Sequence, residues 1–157
     1  MFPGGHWFVE IPPGQPAPDY ALTIYDAGAG GAIHCRSQGR DWLIDAGSKF
    51  DYERIVLPLL RARGVNRLDG FVLTHGDAAH IGGGFGVVDD FRPGIIVDSA
   101  VKDRSPTRKK LHEALALRRR GVAITWRGDG FVISDHLKVR VLYPPAGLKR
   151  NAADDKA

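Results

Sequence analysis

The sequence predicts an α/β layered domain, in which helices pack on a mixed sheet. Apolar runs typical of strands come first, and strands then alternate with amphipathic helical segments. This order favours a layered α/β fold over a helical bundle or a β-sandwich. The chain has 157 residues, 43% of them hydrophobic, which is enough for one buried core. We therefore expect one domain over 21–157, after a Pro/Gly-rich arm over 1–20.

Strands are predicted where β-branched and other apolar residues run between turn residues. The predicted strands lie over 21–28, 32–47 as a hairpin, 68–75, 94–99, 121–126, 131–134 and 137–143. The hairpin turn is predicted at Gln38-Gly39. The run over 68–75 is almost continuously apolar, which is typical of a strand buried on both faces. His75 is therefore expected at the carboxyl end of a buried strand, where sites form in such folds.

Two segments predict amphipathic helices, and a third is ambiguous. Residues 51–63 carry apolar side chains at helical spacing, with Pro58 expected to kink the helix. A serine-proline pair at Ser105 is a good N-cap and first helical position for a helix over 107–120. The glycine-rich run over 81–91 predicts either a loop or a short helix.

Composition excludes several classes of protein. The single cysteine, Cys35, rules out an internal disulfide framework and a Cys-rich zinc site. Its sequence context predicts that it packs in or beside a strand. The chain has no basic start followed by an apolar run, and no stretch near the roughly 20 apolar residues of a membrane span. We expect a cytoplasmic chain with no membrane segment, and a longer membrane-bound parent stays open.

Basic residues outnumber acidic ones by 22 to 18, and part of the excess is clustered. The cluster consists of Lys102, Arg104, Arg108, Lys109, Lys110, Arg118, Arg119 and Arg120. Lys109, Lys110, Arg118, Arg119 and Arg120 are candidate contacts to the phosphates of a nucleic acid. The alternative is a solvated helix face with no nucleic-acid role.

The stretch from Thr74 to Gly84, THGDAAHIGGG, carries candidate metal ligands. Imidazole and carboxylate groups are ligands of hydrolytic metal centres, so His75, Asp77 and His80 could hold one ion. The surrounding glycines are expected to supply the backbone freedom for that arrangement. The alternative is a polar turn in which Asp77 caps the next helix. Asp45 ends a neighbouring strand, where it could orient a ligand histidine or cap its own turn.

Three stretches together resemble a known family. They are LTIYDAGAGGAIHCRSQGRDWLIDAGS, VLPLLRARGVNRLDGFVLTHGDAAHIGGG and VRVLYPPAGLKRNAADDKA. In order and spacing they are similar to the metallo-β-lactamase-fold hydrolase domain at the C-terminus of ComEC-type DNA-uptake proteins. The resemblance implies the N-terminal half of an αββα sandwich, a one- or two-metal site, and attack of water on a phosphodiester. It implies that His75, Asp77 and His80 bind a divalent metal, zinc or manganese, and that Asp77 also acts in catalysis by positioning water.

The chain also departs from that family's pattern. Ala79 stands where the His-x-Asp-x-Asp-His signature has its second aspartate, and Ala29 and Gly31 replace a polar pair in the first-strand motif. We expect the sequence to hold only the N-terminal half of the domain. His112 and His136 are expected to be surface or turn histidines and not replacement ligands.

These departures predict little or no hydrolytic activity for the chain by itself. Three further readings stay open. The chain could be a truncated, non-catalytic remnant, a nucleic-acid-binding module, or a hydrolase of a small ester, thioester or phosphorylated metabolite. Half of a sandwich would leave one apolar sheet face uncovered, so we also expect self-association or a partner half.

Overall fold

The computed structural model describes residues 20–28, 30–101 and 104–147. Residues 1–19 of the predicted N-terminal arm and the last residues of the third resembling stretch lie outside these ranges, as do Ala29 and Lys102. The strands are β1 Tyr20–Ala27, β2 Gly30–Ser37, β3 Arg40–Ile44, β4 Gly70–Leu73, β5 Ile95–Ser99, β6 Ala123–Thr125, β7 Gly130–Ser134 and β8 Leu137–Arg140. The helices are α1 Lys49–Asp51, α2 Leu57–Ala62, α3 Ala78–Ile81, α4 Gly84–Phe91 and α5 Pro106–Leu117.

Within the described ranges, six strands form one mixed sheet in the order β1-β2-β3-β4-β5-β6. The β1–β2 and β2–β3 pairs are antiparallel, whereas β3, β4, β5 and β6 run parallel. The predicted turn between β2 and β3 is confirmed, because Gln38 and Gly39 both have positive φ angles, as a tight hairpin turn requires. Since the parallel strands end at one edge, the residues that follow them converge there.

The main core lies between this sheet and the helices. Phe71 of β4, Ile81 of α3, Phe91 of α4 and Leu111 of α5 are buried in it. The other face of the sheet is partly covered by the β7–β8 hairpin, whose Phe131 stacks on Trp42 with ring centroids 4.8 Å apart. On β1, Leu22 and Ile24 stay exposed on that same face. The predicted mixed sheet with flanking helices is confirmed.

The helix predicted over 51–63 begins earlier, at Lys49, where Ser48 caps it. Residues 52–56 are π-helical, and the amide of Leu57 donates to the carbonyl of Tyr52, five residues back. This wider turn comes directly before Pro58, which has no amide hydrogen to donate. The ambiguous run over 81–91 forms the end of α3 and then α4. In the part of the chain that the structure describes, no helix has the length and apolar character needed to cross a bilayer.

Candidate metal centre

Asp45, His75 and His80 meet at the carboxyl edge of the parallel strands. Asp45 follows β3, His75 lies two residues beyond β4, and His80 lies in α3. One ligand atom from each lies within 4.8 Å of the others. The backbone amide of Asp45 donates to the carbonyl of Val72 at 2.8 Å, which continues the β3–β4 pairing to the edge. The three side chains therefore converge because two adjacent parallel strands end together.

Asp45 is buried and fully engaged by its neighbours. Only 6% of the residue is exposed. Its Oδ1 accepts from the Thr74 amide at 2.9 Å, and its Oδ2 accepts from the Thr74 hydroxyl. Burial raises the pKa of the Asp45 carboxyl, and the hydrogen bonds from Thr74 and His80 act in the opposite direction. A carboxylate held in this way can fix the orientation of a histidine beside it.

Both histidines have their Nδ1 atoms occupied. His80 Nδ1 lies 3.2 Å from Asp45 Oδ2, and since a carboxylate only accepts, His80 donates. The Thr74 hydroxyl gives its hydrogen to Asp45, so it accepts from His75 Nδ1, 3.1 Å away. With both protons on Nδ1, each ring carries its lone pair on Nε2. The two rings lie side by side, with centroids 4.1 Å apart.

This donor set fits a divalent cation. Two neutral imidazole nitrogens beside a carboxylate are typical of hydrolytic metal sites. Metal–nitrogen distances are about 2.0–2.1 Å, so two ligand atoms on one ion lie within roughly 4 Å of each other. Asp45 lies on the Nδ1 side of His80, so it would support that ligand, and the Nε2 atoms of His75 and His80 would bind the ion.

Asp77 caps helix α3. Its Oδ1 accepts from the Ala79 amide at 2.9 Å, and its backbone carbonyl accepts from the amides of His80 and Ile81. Its side chain is exposed, and among the residues described it lies outside the group formed by Asp45 and the two histidines. The structure therefore shows the alternative in which Asp77 caps the next helix, and the metal-binding role of Asp77 stays a prediction.

The glycines around this loop allow close packing. Gly82 and Gly83 have ordinary helical φ angles, so the expectation that they supply unusual backbone freedom is wrong. A Cβ on Gly83 would lie 2.8 Å from the carbonyl oxygen of Ala46, and one on Gly30 would lie 1.7 Å from that of Ala79. Side chains at these positions would push the loop off β2 and β3.

The predicted basic cluster is divided by the fold. Arg108 is buried and lies 3.2 Å from Asp98, so it does not share an exposed face with the other basic residues. Arg118 pairs with Asp89 at 3.0 Å, and Arg120 donates to the carbonyl of Pro93. These residues end α5, whose first turn adjoins the metal loop. A 12-residue helix is about 18 Å long, so Arg118 and Arg120 lie far from that loop.

His112 and Asp98 form a second pair that sequence reasoning missed. His112 Nε2 lies 2.7 Å from Asp98 Oδ2, and 35% of the His112 side chain is exposed. His112 is therefore a half-buried, bonded residue and not a surface histidine. The available signal was that Asp98, like Asp45, ends an apolar strand. His136 is exposed in a turn, as predicted.

Cys35 is buried in β2, as its sequence context predicted. Burial raises the pKa of its thiol to about 11. The thiol is therefore protonated near neutral pH and is not an activated nucleophile.

Comparison with known proteins identifies the family to which the chain belongs. The family model described as the metallo-beta-lactamase superfamily matches residues 35–145. Competence protein ComA of Neisseria gonorrhoeae is 39% identical over 72 residues, which are 46% of this chain and 10% of ComA. The chain thus matches a small part of that relative's length. The resemblance to ComEC-type proteins is confirmed.

Solved structures share the fold at low sequence identity. MEM-A1, a subclass B3 metallo-beta-lactamase from a soil metagenome library, is 14% identical with a TM-score of 0.57, over 80% of this chain and 49% of that one. A metallo-beta-lactamase of Cronobacter sakazakii is 13% identical with a TM-score of 0.50, over 79% of this chain and 55% of that one. The chain spans about half the length of these structures, and its mixed sheet and helices match the N-terminal half of their fold. The chain belongs to the metallo-beta-lactamase superfamily.

Proposed function

We propose that the chain is a metal-dependent phosphodiesterase or nuclease domain of the DNA-uptake type, with weak activity on its own. The observation that carries this proposal is the convergence of Asp45, His75 and His80 at the carboxyl edge of the sheet. Membership of the superfamily and the match to ComA support the reaction class and the choice of DNA as substrate.

Each residue of the group has a distinct proposed role. His75 and His80 would hold zinc or manganese through Nε2, and Asp45 fixes the orientation of the His80 ring through Nδ1. Asp77 is the proposed third ligand and positions the attacking water. A bound divalent cation supplies Lewis-acid chemistry, which acidifies water and polarises a phosphoryl oxygen.

Ala79 explains why we expect the activity to be weak. A methyl group cannot coordinate a metal, so the described loop lacks the carboxylate that a second ion would need. Two-metal sites stabilise both the attacking and the leaving oxygen of a phosphodiester, whereas a single ion does less. The loss of a supporting group alone typically costs about 10- to 100-fold in metal affinity or activity.

Basic residues supply the proposed contact to DNA. Lys109 and Lys110 are exposed on the first half of α5, near the metal loop. Arg118, Arg119 and Arg120 lie at its far end, so a bound strand would follow the helix away from the loop. Such contacts neutralise phosphates without reading sequence, and a nucleic-acid-binding module with no catalysis would use the same surface.

The test is metal content and cleavage by the full chain. After zinc or manganese loading and desalting, we expect about one ion per chain, and slow, chelator-sensitive cleavage of single-stranded DNA and of a chromogenic phosphodiester. His136→Ala serves as the control, because His136 is exposed and far along the chain from the loop. Absence of both bound metal and cleavage would refute the proposal. Hydrolysis of small esters or thioesters without phosphodiester cleavage would favour the alternative substrate class.

A further inference from the structure

A cavity of about 610 Å³ lies beside the metal loop, between the end of β5, the first half of α5 and β6. Its lining includes Asp98, Val101, Lys109, His112, Glu113 and Ile124. Cavities of this size bind small organic molecules in other proteins. None of these residues belongs to the group of Asp45, His75 and His80.

The inner wall of the cavity carries balanced charge. Asp98 is only 1% exposed and accepts from the Ser99 amide at 2.7 Å and from His112 Nε2 at 2.7 Å. The Arg108 guanidinium lies 3.2 Å from its other oxygen, so the carboxylate is compensated. Lys109 and Glu113 pair loosely at 4.0 Å at the exposed mouth. Because no charge is in excess, the interior suits a neutral group better than a metal ion or a phosphate.

Two features of the cavity suit a flat heterocyclic ring. His112 lines the cavity and its Nε2 is bonded to Asp98, so the ring and Nδ1 are the parts of His112 that a ligand could contact. Val101 and Ile124 supply aliphatic surface, and 48% of Ile124 is exposed. Bases in single-stranded nucleic acids bind in this manner, by stacking on rings such as histidine and by hydrogen bonding along an edge.

The cavity and the metal loop follow two adjacent strands, β5 and β4. Asp98 of β5 is in register with Leu73 of β4, and His75 follows Leu73 by two residues. Adjacent strands are about 4.8 Å apart. The Ser105 hydroxyl also donates to the carbonyl of Gly76, which ties the start of α5 to the loop. A nucleotide chain that crosses the metal loop would bring an adjoining base to the cavity.

We propose that this cavity binds the nucleobase next to the phosphodiester held at Asp45, His75 and His80. The proposal rests on the proposed function, because it takes DNA as the substrate. His112 contacts the base, Val101 and Ile124 form the apolar wall, and Lys109 at the mouth meets the phosphate of that nucleotide.

The test uses the full chain, kept metal-free with a chelator, and deoxynucleoside monophosphates as probes. NMR titration should shift the amides of Ser99, Ala100 and Ile124, with a dissociation constant on the order of 1 mM. Deoxyribose 5-phosphate, which has no base, should shift them much less. His112→Gln and Ile124→Ser should each weaken binding by about tenfold, equivalent to about 1.4 kcal/mol. The control His136→Gln should bind as the unaltered chain does.

The proposal is overturned if none of the mononucleotides shifts these amides, or if the sugar phosphate shifts them equally. Unchanged binding by Ile124→Ser would also overturn it, and this variant does not disturb the Asp98 network. Because the titration is done on metal-free chain, its result does not depend on whether the chain hydrolyses DNA. Base binding by a chain with no metal affinity would refute the proposed function but would not refute base binding in the cavity.

Discussion

Among the described residues, two aspartate-histidine pairs lie near the same edge of the sheet, apart from the His34–Asp41 pair in the β2–β3 hairpin. Asp45 directly follows β3 and lies 3.2 Å from His80, whereas Asp98 is the next-to-last residue of β5 and lies 2.7 Å from His112. Both aspartates are buried, and burial raises the pKa of each carboxyl. The first pair joins the end of β3 to α3, which follows β4, and the second joins β5 to α5, the helix that follows β5 itself.

The two pairs differ in the side chain that lies beside each of them. His75 lies against His80, which places two imidazoles and a carboxylate together and favours a divalent cation. Arg108 lies against Asp98, which compensates the carboxylate and leaves His112 to face a cavity. A buried aspartate-histidine pair is therefore not a metal site in itself, because the next side chain decides whether a cation or a neutral ligand fits.

Removal of Arg108 should produce the largest loss of stability. Arg108→Met leaves Asp98 buried with one fewer compensating partner, and breaking a buried ion pair from one side costs about 3–5 kcal/mol. Urea unfolding measures this loss. Lys109→Met, which removes an exposed pair on the same helix, should cost about 0.5 kcal/mol or less. Equal losses in the two variants would show that Arg108 does not compensate Asp98.

Substitution of Asp45 should lower zinc affinity, whereas substitution of Asp98 should not. Asp45→Asn removes the acceptor charge behind His80 and should lower zinc affinity by about 10- to 100-fold. Asp98→Asn should leave zinc affinity unchanged, because Asp98 does not contact the metal group. Competition with a zinc-sensitive dye measures both. A similar fall in the two variants would contradict the separation.

Asp77 offers a smaller and more specific test. Asp77→Ala removes the cap of α3 and should cost about 1 kcal/mol of unfolding free energy. Asp77→Asn keeps a good capping side chain, so its stability should stay near that of the unaltered chain. If Asp77 also binds metal, both variants should lose zinc affinity. Full zinc affinity in Asp77→Asn would restrict Asp77 to its capping role.

The smallest effect should be the pH dependence that Asp98 contributes. Burial, its largest cause, raises the pKa of folded Asp98 above the unfolded value of about 3.9. The folded state therefore binds this proton more tightly, and the associated stability is present below about pH 3.9 and is lost as pH rises through the folded pKa. Urea unfolding from about pH 4 upward should show a smaller fall of the unfolding free energy with rising pH in Asp98→Asn than in the unaltered chain. An identical slope in the variant would contradict the shift.

Local signals allowed much of the fold to be predicted. The Gln38-Gly39 turn, the start of α5 at Ser105 and the buried β4 run all depend on residues near each other in sequence, and all are confirmed. The convergence of His75 and His80 with Asp45 followed from strand ends that share an edge. These features need no knowledge of distant contacts.

The rest depended on packing between elements. Arg108 sits among basic residues in the sequence, and only the packing of α5 on β5 turns it inward to Asp98. Thr74 bonds to both oxygens of Asp45, a contact made across two strands that no spacing predicts. The close approach of Gly30 to Ala79 likewise exists only in the folded chain.

Zinc affinity of two histidine variants tests the central claim most directly. His80 and His112 each lie beside a buried aspartate, but only His80 lies beside a second histidine. His80→Ala should lower zinc affinity by more than about 100-fold, because it removes a ligand and not merely a support. His112→Ala should bind zinc as the unaltered chain does. Equal affinity in the two variants, whether both keep zinc or both lose it, would contradict the account.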